Sequence, residues 1–206
     1  MNSETDVCQQ LARRLADAHR SGLETIAITS VQPGEGRSTV ALGLALSVAL
    51  SGLRVALVDA DPDGGTLAGD LSLELDHGWI DAIRGDVPLE EIAVASEADQ
   101  ITLIPLLERA GEVPPRPMEI RQLISRLRRQ FDLILIDCPP SATEAVRLCH
   151  TALIVRDMQR TDTEAVESFA LTLRRSGLQG IGVVENFTDR PGRPVDASSP
   201  RRKLVN

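Results

Sequence analysis

Residues 25–50 read TIAITSVQPGEGRSTVALGLALSVAL, and this stretch decides the fold. A short run of β-branched residues is followed by a Pro-Gly-Glu-Gly turn and then by a long apolar segment that predicts a helix. Gly34 and Gly36 allow the backbone of the turn to adopt positive φ angles. The curled turn and the start of the helix would direct backbone N–H groups at one point, which is the geometry of a phosphate-binding site.

The turn departs at two positions from the P-loop pattern G-x-x-x-x-G-K-[ST]. Val31 stands at the first glycine of the pattern, and Arg37 stands at its lysine. Ser38 keeps the hydroxyl group that the pattern offers to Mg²⁺. An ordinary strand–helix turn that happens to contain glycines is therefore an alternative, and residues elsewhere in the chain have to decide between the two.

Composition and charge narrow the class of protein. Of 206 residues, 42% are hydrophobic and 25% are charged, which is typical of one globular domain. The net charge of −8 and the isoelectric point of about 4.9 disfavour nucleic acid as a partner. The three cysteines lack metal-ligand spacing, so we expect a reducing cytoplasm. The polar N-terminus does not resemble a signal peptide, and the longest apolar run, residues 40–50, is too short to span a bilayer.

Short apolar segments alternate with amphipathic segments along the chain. The pattern predicts strands at residues 25–30, 54–59, 101–106, 131–137, 152–156 and 181–185, and further helices at residues 5–20, 78–84, 89–94, 119–130, 144–149 and 162–176. This alternation favours an α/β fold in which helices flank a mostly parallel sheet. We divide the chain into an N-terminal helix (1–22), a main domain (23–187) and a flexible tail (188–206).

Carboxylates follow two of the predicted strands. Asp59 and Asp61 come after one apolar strand, and Asp137 comes after another. A single aspartate there usually marks only the point where a strand meets water, but here the arrangement occurs twice, and ligands of parallel sheets bind at this edge. Carboxylates hold Mg²⁺ partly through water and can orient the nucleophile in phosphoryl transfer. Asp137 is suited to binding the metal, whereas Asp59 and Asp61 are suited either to binding the metal or to positioning the nucleophile.

Three segments in this order, PGEGRST, VALVDADPDGG and FDLILIDCPPS, resemble the Walker A, A′ and B motifs of bacterial tyrosine kinases. These are cytoplasmic kinases of capsule and exopolysaccharide synthesis, within the wider class of the MinD and ParA ATPases. The resemblance extends from about residue 25 to residue 187. It implies the three-layer fold of P-loop NTPases, ATP or ADP with Mg²⁺ as ligands, and a membrane polysaccharide co-polymerase, which regulates chain length, as a partner.

The resemblance also implies roles for individual residues. The nucleotide-binding residues would be Pro33, Gly34, Glu35, Gly36, Arg37, Ser38, Thr39 and Asn186. The metal ligands would be Ser38, Asp59 and Asp137, and the catalytic residues would be Arg37, Asp59, Asp61 and Asp137. Asn186 would lie beside the adenine, although an asparagine after a strand is more often a cap or turn residue.

Arg37 stands where the family has its catalytic lysine. The planar, forked guanidinium group does not substitute conservatively for a compact ammonium group at a shaped site. Losing one preorganised donor typically costs roughly 3 kcal/mol of transition-state stabilisation. Lys203 is the only lysine among the 22 lysines and arginines. This preference for arginine explains why position 37 carries one, but it does not explain how an arginine could do the work of the catalytic lysine.

The sequence contains no tyrosine, which excludes tyrosine autophosphorylation within these residues. It also lacks the Glu-x-x-Arg-x-x-Arg pattern that the family uses for oligomerisation, so homo-oligomer formation is undecided.

Three functions follow, in order of preference: a degenerate, kinase-like ATP-binding protein of an exopolysaccharide system, an active ATPase or kinase that acts on other proteins, and a positioning ATPase of the MinD and ParA class. A scaffold that no longer binds nucleotide is a fourth. We expect a cytoplasmic protein that reaches the inner face of the membrane only through a partner.

Overall fold

The computed structural model describes residues 3–61, 67–96, 99–107 and 115–188, with side chains described from residue 9 onward. Strands within these ranges form one seven-stranded sheet. The strands are β1 (Thr25–Ser30), β2 (Val55–Asp59), β3 (Val94–Ser96), β4 (Ile101–Ile104), β5 (Leu133–Asp137), β6 (Thr151–Asp157) and β7 (Gly180–Asn186). Their order is β3-β4-β2-β5-β1-β6-β7, and every neighbouring pair is parallel except β3 and β4.

Helices cover both faces of the sheet. They are α1 (Ser3–Arg20), α2 (Arg37–Ala49), α3 (Leu67–Asp70), α4 (Trp79–Arg84), α5 (Leu89–Ile92), α6 (Pro117–Leu127), α7 (Thr143–Val146) and α8 (Thr163–Arg175). Side chains of α1 and α2 form one apolar core with alternate residues of the central strands, such as Ile26 and Leu57. Side chains of α4 to α8 form a second core with the intervening residues, such as Ala27 and Val58. The prediction of a three-layer α/β fold is thus confirmed.

The central strands are apolar on both faces because each face meets a helix layer. All five residues of β2 and all five of β5 are buried. The two strands pair in register, so that Asp59 lies opposite Asp137 at their carboxyl ends. Strand β1 lies between β5 and β6 and leads directly into the glycine turn. This strand order brings the glycine turn and the aspartates of β2 and β5 to one edge of the sheet.

Three short elements differ from the sequence prediction. The pattern at residues 89–94 predicts one helix, but α5 ends at Ile92 because Ala93 adopts an extended conformation, with φ −75° and ψ 121°. The chain then forms β3, an antiparallel edge strand beside β4. Helix α3 has no counterpart in the sequence prediction. Elements of three or four residues carry too few positions to show a periodicity.

Some sequence predictions fall on residues that the structure does not describe. The turn after Asp59 is described only to Asp61, the proline-rich loop before α6 only from residue 115, and the tail only to residue 188. The three-part domain division stays a prediction, although Ala12 and Leu15 of α1 lie in the core that α2 also lines. Over the described residues, no helix combines the length and the apolar character that crossing a membrane requires.

Candidate phosphate-binding site

The loop between β1 and α2 turns on two left-handed glycines. Gly34 and Gly36 both have φ of +79°, a conformation that residues with a Cβ atom rarely adopt. A Cβ atom added at Gly36 would also lie 2.2 Å from Nδ2 of Asn186. The sequence therefore places glycine where both the backbone and its neighbour require it.

The carboxylate of Glu35 holds the loop in shape. One of its oxygens accepts hydrogen bonds from the backbone N–H groups of Val31 and Gln32, both at 2.8 Å. The other oxygen accepts from the backbone N–H of Asp157 at 3.0 Å and from the hydroxyl group of Thr161. The residue is fully buried. Glu35 was predicted among the nucleotide-binding residues, but its side chain faces the protein, so any contact with a phosphate would have to come from its backbone N–H.

Arg37 bridges two of the predicted acidic residues. Its Nε donates to the carboxylate of Asp137, and its Nη2 donates to the carboxylate of Asp61. Burial of the guanidinium group acts to lower its pKa, but the two carboxylates outweigh burial and raise it above the usual value. Only 8% of the residue is exposed. In this structure the basic side chain of the loop is therefore bound to acids, where the P-loop lysine would face phosphate.

Asp137 sits in the more buried part of this bridge. Burial raises its pKa, and the charge of Arg37 and a hydrogen bond with Ser38 partly offset that effect. The contact with Ser38 places a hydroxyl group beside a carboxylate at the start of α2. These two oxygen donors were both predicted as metal ligands.

Asp59 is buried and serves as an acceptor for backbone groups. Its carboxylate accepts from the N–H of Leu67 at 2.8 Å and from the N–H of Asp61 at 3.1 Å. The indole N–H of Trp79 donates to its backbone carbonyl at 2.8 Å. Burial raises the pKa of Asp59 to about 7. Asp59 thus fixes the start of α3 and the position of Asp61.

A cavity of about 530 Å³ opens in front of the loop. It is lined by Pro33, Gly34, Gly36, Arg37, Ser38, Thr39, Asp61, Asp70, Pro139, Pro140, Ser141 and Phe187. The structure thus brings together most of the predicted site residues, whereas Glu35, Asp59, Asp137 and Asn186 lie outside the lining. Sequence reasoning did not assign Asp70, Ser141 or Phe187 to the site. The position of Phe187 beside Asn186, two residues after the end of the strand predicted at 181–185, was the available signal for that residue.

Asn186 connects the end of β7 to the loop. Its Nδ2 donates to the backbone carbonyl of Glu35 at 3.0 Å, and its Oδ1 accepts from the N–H of Phe187 at 3.0 Å. Both contacts are structural. The predicted contact between Asn186 and an adenine stays a prediction.

The donor set fits Mg²⁺ only in combination with a nucleotide. No group of three or more His, Cys, Asp or Glu side chains is placed to hold a metal ion anywhere in the described ranges. The Ser38 hydroxyl and the neighbouring carboxylates are hard oxygen donors of the kind that Mg²⁺ selects, and Mg²⁺ normally takes its remaining ligands from phosphate and water. The site is therefore suited to a magnesium–nucleotide complex rather than to a free metal ion.

Comparison with known proteins identifies the family. A family model described as an AAA domain matches residues 23–175. The chain belongs to this AAA-domain family. The match extends from just before β1 to the end of α8 and so contains the loop and all three aspartates.

Relatives agree with this assignment, and solved structures agree with the fold. Tyrosine-protein kinase CpsD of Streptococcus agalactiae serotype III is 29% identical over 173 residues, which are 78% of this chain and 73% of the relative. The kinase domain of the Escherichia coli tyrosine kinase ETK superposes with a TM-score of 0.78 at 23% identity. The superposition covers 100% of this chain and 82% of the ETK chain. MinD of Pyrococcus horikoshii, solved with Mg-ADP, superposes with a TM-score of 0.67 at 23% identity, over 78% and 68% of the two chains. The predicted resemblance to bacterial tyrosine kinases is confirmed, and so is the P-loop NTPase fold.

We expect Glu35→Gln to destabilise the protein. An amide offers only one acceptor oxygen, so its NH₂ group would face N–H donors that the carboxylate now satisfies, and each buried unsatisfied group costs about 1–3 kcal/mol. The free energy of unfolding, measured with urea, should fall by roughly this amount. The matched control is Glu167→Gln on the exposed surface of α8, which should change stability by less than about 0.5 kcal/mol. Equal stability of the two variants would show that the buried carboxylate does not hold the loop.

Asp59 should make stability depend on pH. The pKa of Asp59 is 3.8 in the unfolded chain and about 7 in the folded protein. Between pH 3.8 and pH 7 the folded state therefore binds more protons than the unfolded state does. The free energy of unfolding should therefore fall as the pH rises from about 4 to about 7, with a slope of order 1 kcal/mol per pH unit at most. Asp59→Asn removes this titration and should flatten the profile.

The control for this titration is Asp86→Asn, which changes an exposed aspartate. It should leave the pH profile of the wild type in place. A profile for Asp59→Asn that keeps the wild-type slope would mean that Asp59 ionises normally in the fold.

Proposed function

We propose that this chain is a nucleotide-binding protein of the exopolysaccharide tyrosine-kinase group, which binds ATP or ADP with Mg²⁺ and turns ATP over slowly or not at all. The observation that carries the proposal is the loop itself. Two left-handed glycines and the start of α2 face a cavity of about 530 Å³ that Ser38 and Asp61 also line. Backbone N–H groups in this arrangement bind phosphate oxygens without any basic side chain.

The comparisons support the nucleotide and its metal. CpsD carries the name of a tyrosine-protein kinase, and the MinD structure contains Mg-ADP. In this chain, Ser38 and Asp137 would hold Mg²⁺, Asp137 partly through water, and Asp61 would face the terminal phosphate. Bound Mg²⁺ would neutralise charge on the phosphate oxygens. Asn186 and Phe187, at the end of β7, are the candidates for contact with the base.

Arg37 is the reason for expecting slow turnover. Moving the whole guanidinium group onto a transferred phosphoryl group would break its contacts with Asp61 and Asp137, and each loss would leave a buried or nearly buried charge without its partner. The bound nucleotide would therefore lack the cation that the P-loop normally supplies. A lysine at this position is shorter and has no fork, so it could not span the same two carboxylates in this way.

The family context supplies the proposed partner and location. We infer a membrane polysaccharide co-polymerase as partner, at the cytoplasmic face of the membrane. None of these 206 residues is a tyrosine, so a phosphoacceptor tyrosine would have to lie outside them. The nucleotide state would then act on the partner by changing the loops around the cavity, without phosphate transfer to this chain's own tyrosine.

Calorimetric titration with Mg·ATP and Mg·ADP tests this function, with phosphate release measured on the same samples. We expect micromolar binding by the wild type with little phosphate release. Arg37→Lys should bind Mg·ATP more tightly and release phosphate faster, by about tenfold or more, because the ammonium group is free to meet phosphate. Arg129→Lys, at an exposed position just after α6, is the matched control and should behave as the wild type does.

The alternatives correspond to distinct outcomes of the same experiment. Rapid phosphate release by the wild type would establish an active ATPase or kinase and contradict impaired turnover. Absence of binding by the wild type and by Arg37→Lys would contradict the nucleotide function and leave a scaffold. A positioning ATPase of the MinD type would show phosphate release that rises with the concentration of the protein as dimers form.

A further inference from the structure

A second arginine reaches the loop from the segment between β6 and α8. This segment is held firmly, because Glu35 binds the backbone N–H of Asp157 at 3.0 Å and the hydroxyl group of Thr161. The backbone N–H of Arg160 donates to the carbonyl of Asp157 at 3.3 Å, which closes a tight turn. Arg160 therefore stands on a segment whose position relative to the glycine loop is fixed by a buried carboxylate.

The guanidinium group of Arg160 lies against Gly34. Its Nη1 is 3.4 Å from the position that a Cβ atom at Gly34 would occupy, which is ordinary van der Waals contact. Gly34 lines the cavity in front of the loop. The arginine thus borders the place where the backbone N–H groups of the loop would bind phosphate.

The two arginines of this region differ in their surroundings. Arg37 is buried and bound to two carboxylates. Arg160 is exposed, and within the described part of the chain its guanidinium group makes no hydrogen bond or ion pair. Its donors are therefore available to an incoming anion, whereas the Nε and Nη2 atoms of Arg37 already donate to buried carboxylates. A guanidinium group presents several N–H donors in one plane and matches two oxygens of a phosphate at once.

We propose that Arg160 binds the phosphate groups of the nucleotide at the glycine loop and supplies the cation that Arg37, held by Asp61 and Asp137, does not supply. The inference rests on the proposed function and names one residue that this function leaves unassigned. The side chain is exposed and its guanidinium group lies against Gly34, so on this proposal it would reach the phosphates by a rearrangement of the side chain alone.

Titration of Mg·ATP into Arg160→Ala, Arg160→Lys and the wild type tests the proposal. Removing a hydrogen bond to a charged group costs about 1.5–3 kcal/mol, so Arg160→Ala should bind roughly 10- to 100-fold more weakly. Arg160→Lys keeps the charge and should recover part of the affinity. Arg129→Ala removes another exposed arginine, which follows α6, and should bind as the wild type does.

Two further measurements separate phosphate binding from a structural role. The melting temperature of the unliganded protein should be the same for Arg160→Ala and the wild type, because the side chain has no polar partner among the described residues. The affinity of the wild type should fall with added salt more steeply than that of Arg160→Ala, because one charge–charge contact has been removed.

Unchanged affinity of Arg160→Ala, in a wild type that binds Mg·ATP, would overturn this inference and leave the proposed function intact. A lower melting temperature that accounts for the lost affinity, with an unchanged salt dependence, would also overturn it. If the wild type binds neither Mg·ATP nor Mg·ADP, the proposed function fails first and this inference fails with it.

Discussion

The guanidinium group of Arg37, held between Asp61 and Asp137, determines what the rest of the site can do. Asp61 follows strand β2, Asp137 is the last residue of β5, and Arg37 itself opens α2 after β1. The ion pairs therefore tie together three strand ends that are adjacent in the sheet but far apart in the chain. Removing any one of the three charges would leave the others poorly compensated in a buried environment, which is costly. The same interaction that joins the carboxyl edge of the sheet also directs the charge of the loop's own arginine at two carboxylates.

Glu35 is the second determinant of the site, because it joins the glycine loop to the segment after β6. Four donors meet its two oxygens, so the buried charge is fully hydrogen-bonded. These hydrogen bonds hold the loop on the side that faces the protein, so backbone N–H groups are what the loop offers to a phosphate on the other side. It also places Arg160 beside Gly34. A phosphate site can therefore persist in this fold even though the loop's basic side chain is occupied elsewhere.

Much of the fold follows from the sequence because the signals are local. The glycines at 34 and 36, the apolar runs of β2 and β5, and the aspartates at their ends are patterns that a few consecutive residues display. The contacts that define the site are not local: Arg37 and Asp137 are 100 positions apart, and Glu35 and Thr161 are 126 positions apart. No spacing rule indicates that Glu35 turns inward, or that Asp59 accepts backbone hydrogen bonds instead of lining the cavity. Elements as short as β3 and α3, and an exposed arginine such as Arg160, likewise carry no pattern of their own.

The most direct test of the account is a crystal structure of the wild type with Mg²⁺ and a non-hydrolysable ATP analogue. The account predicts phosphate groups on the backbone N–H groups of the glycine loop, with Arg37 still bonded to Asp61 and Asp137. A guanidinium group of Arg37 that has left both carboxylates and lies on the phosphates would contradict it. In that case the arginine would serve as the family's lysine does, and the reason for expecting slow turnover would be gone.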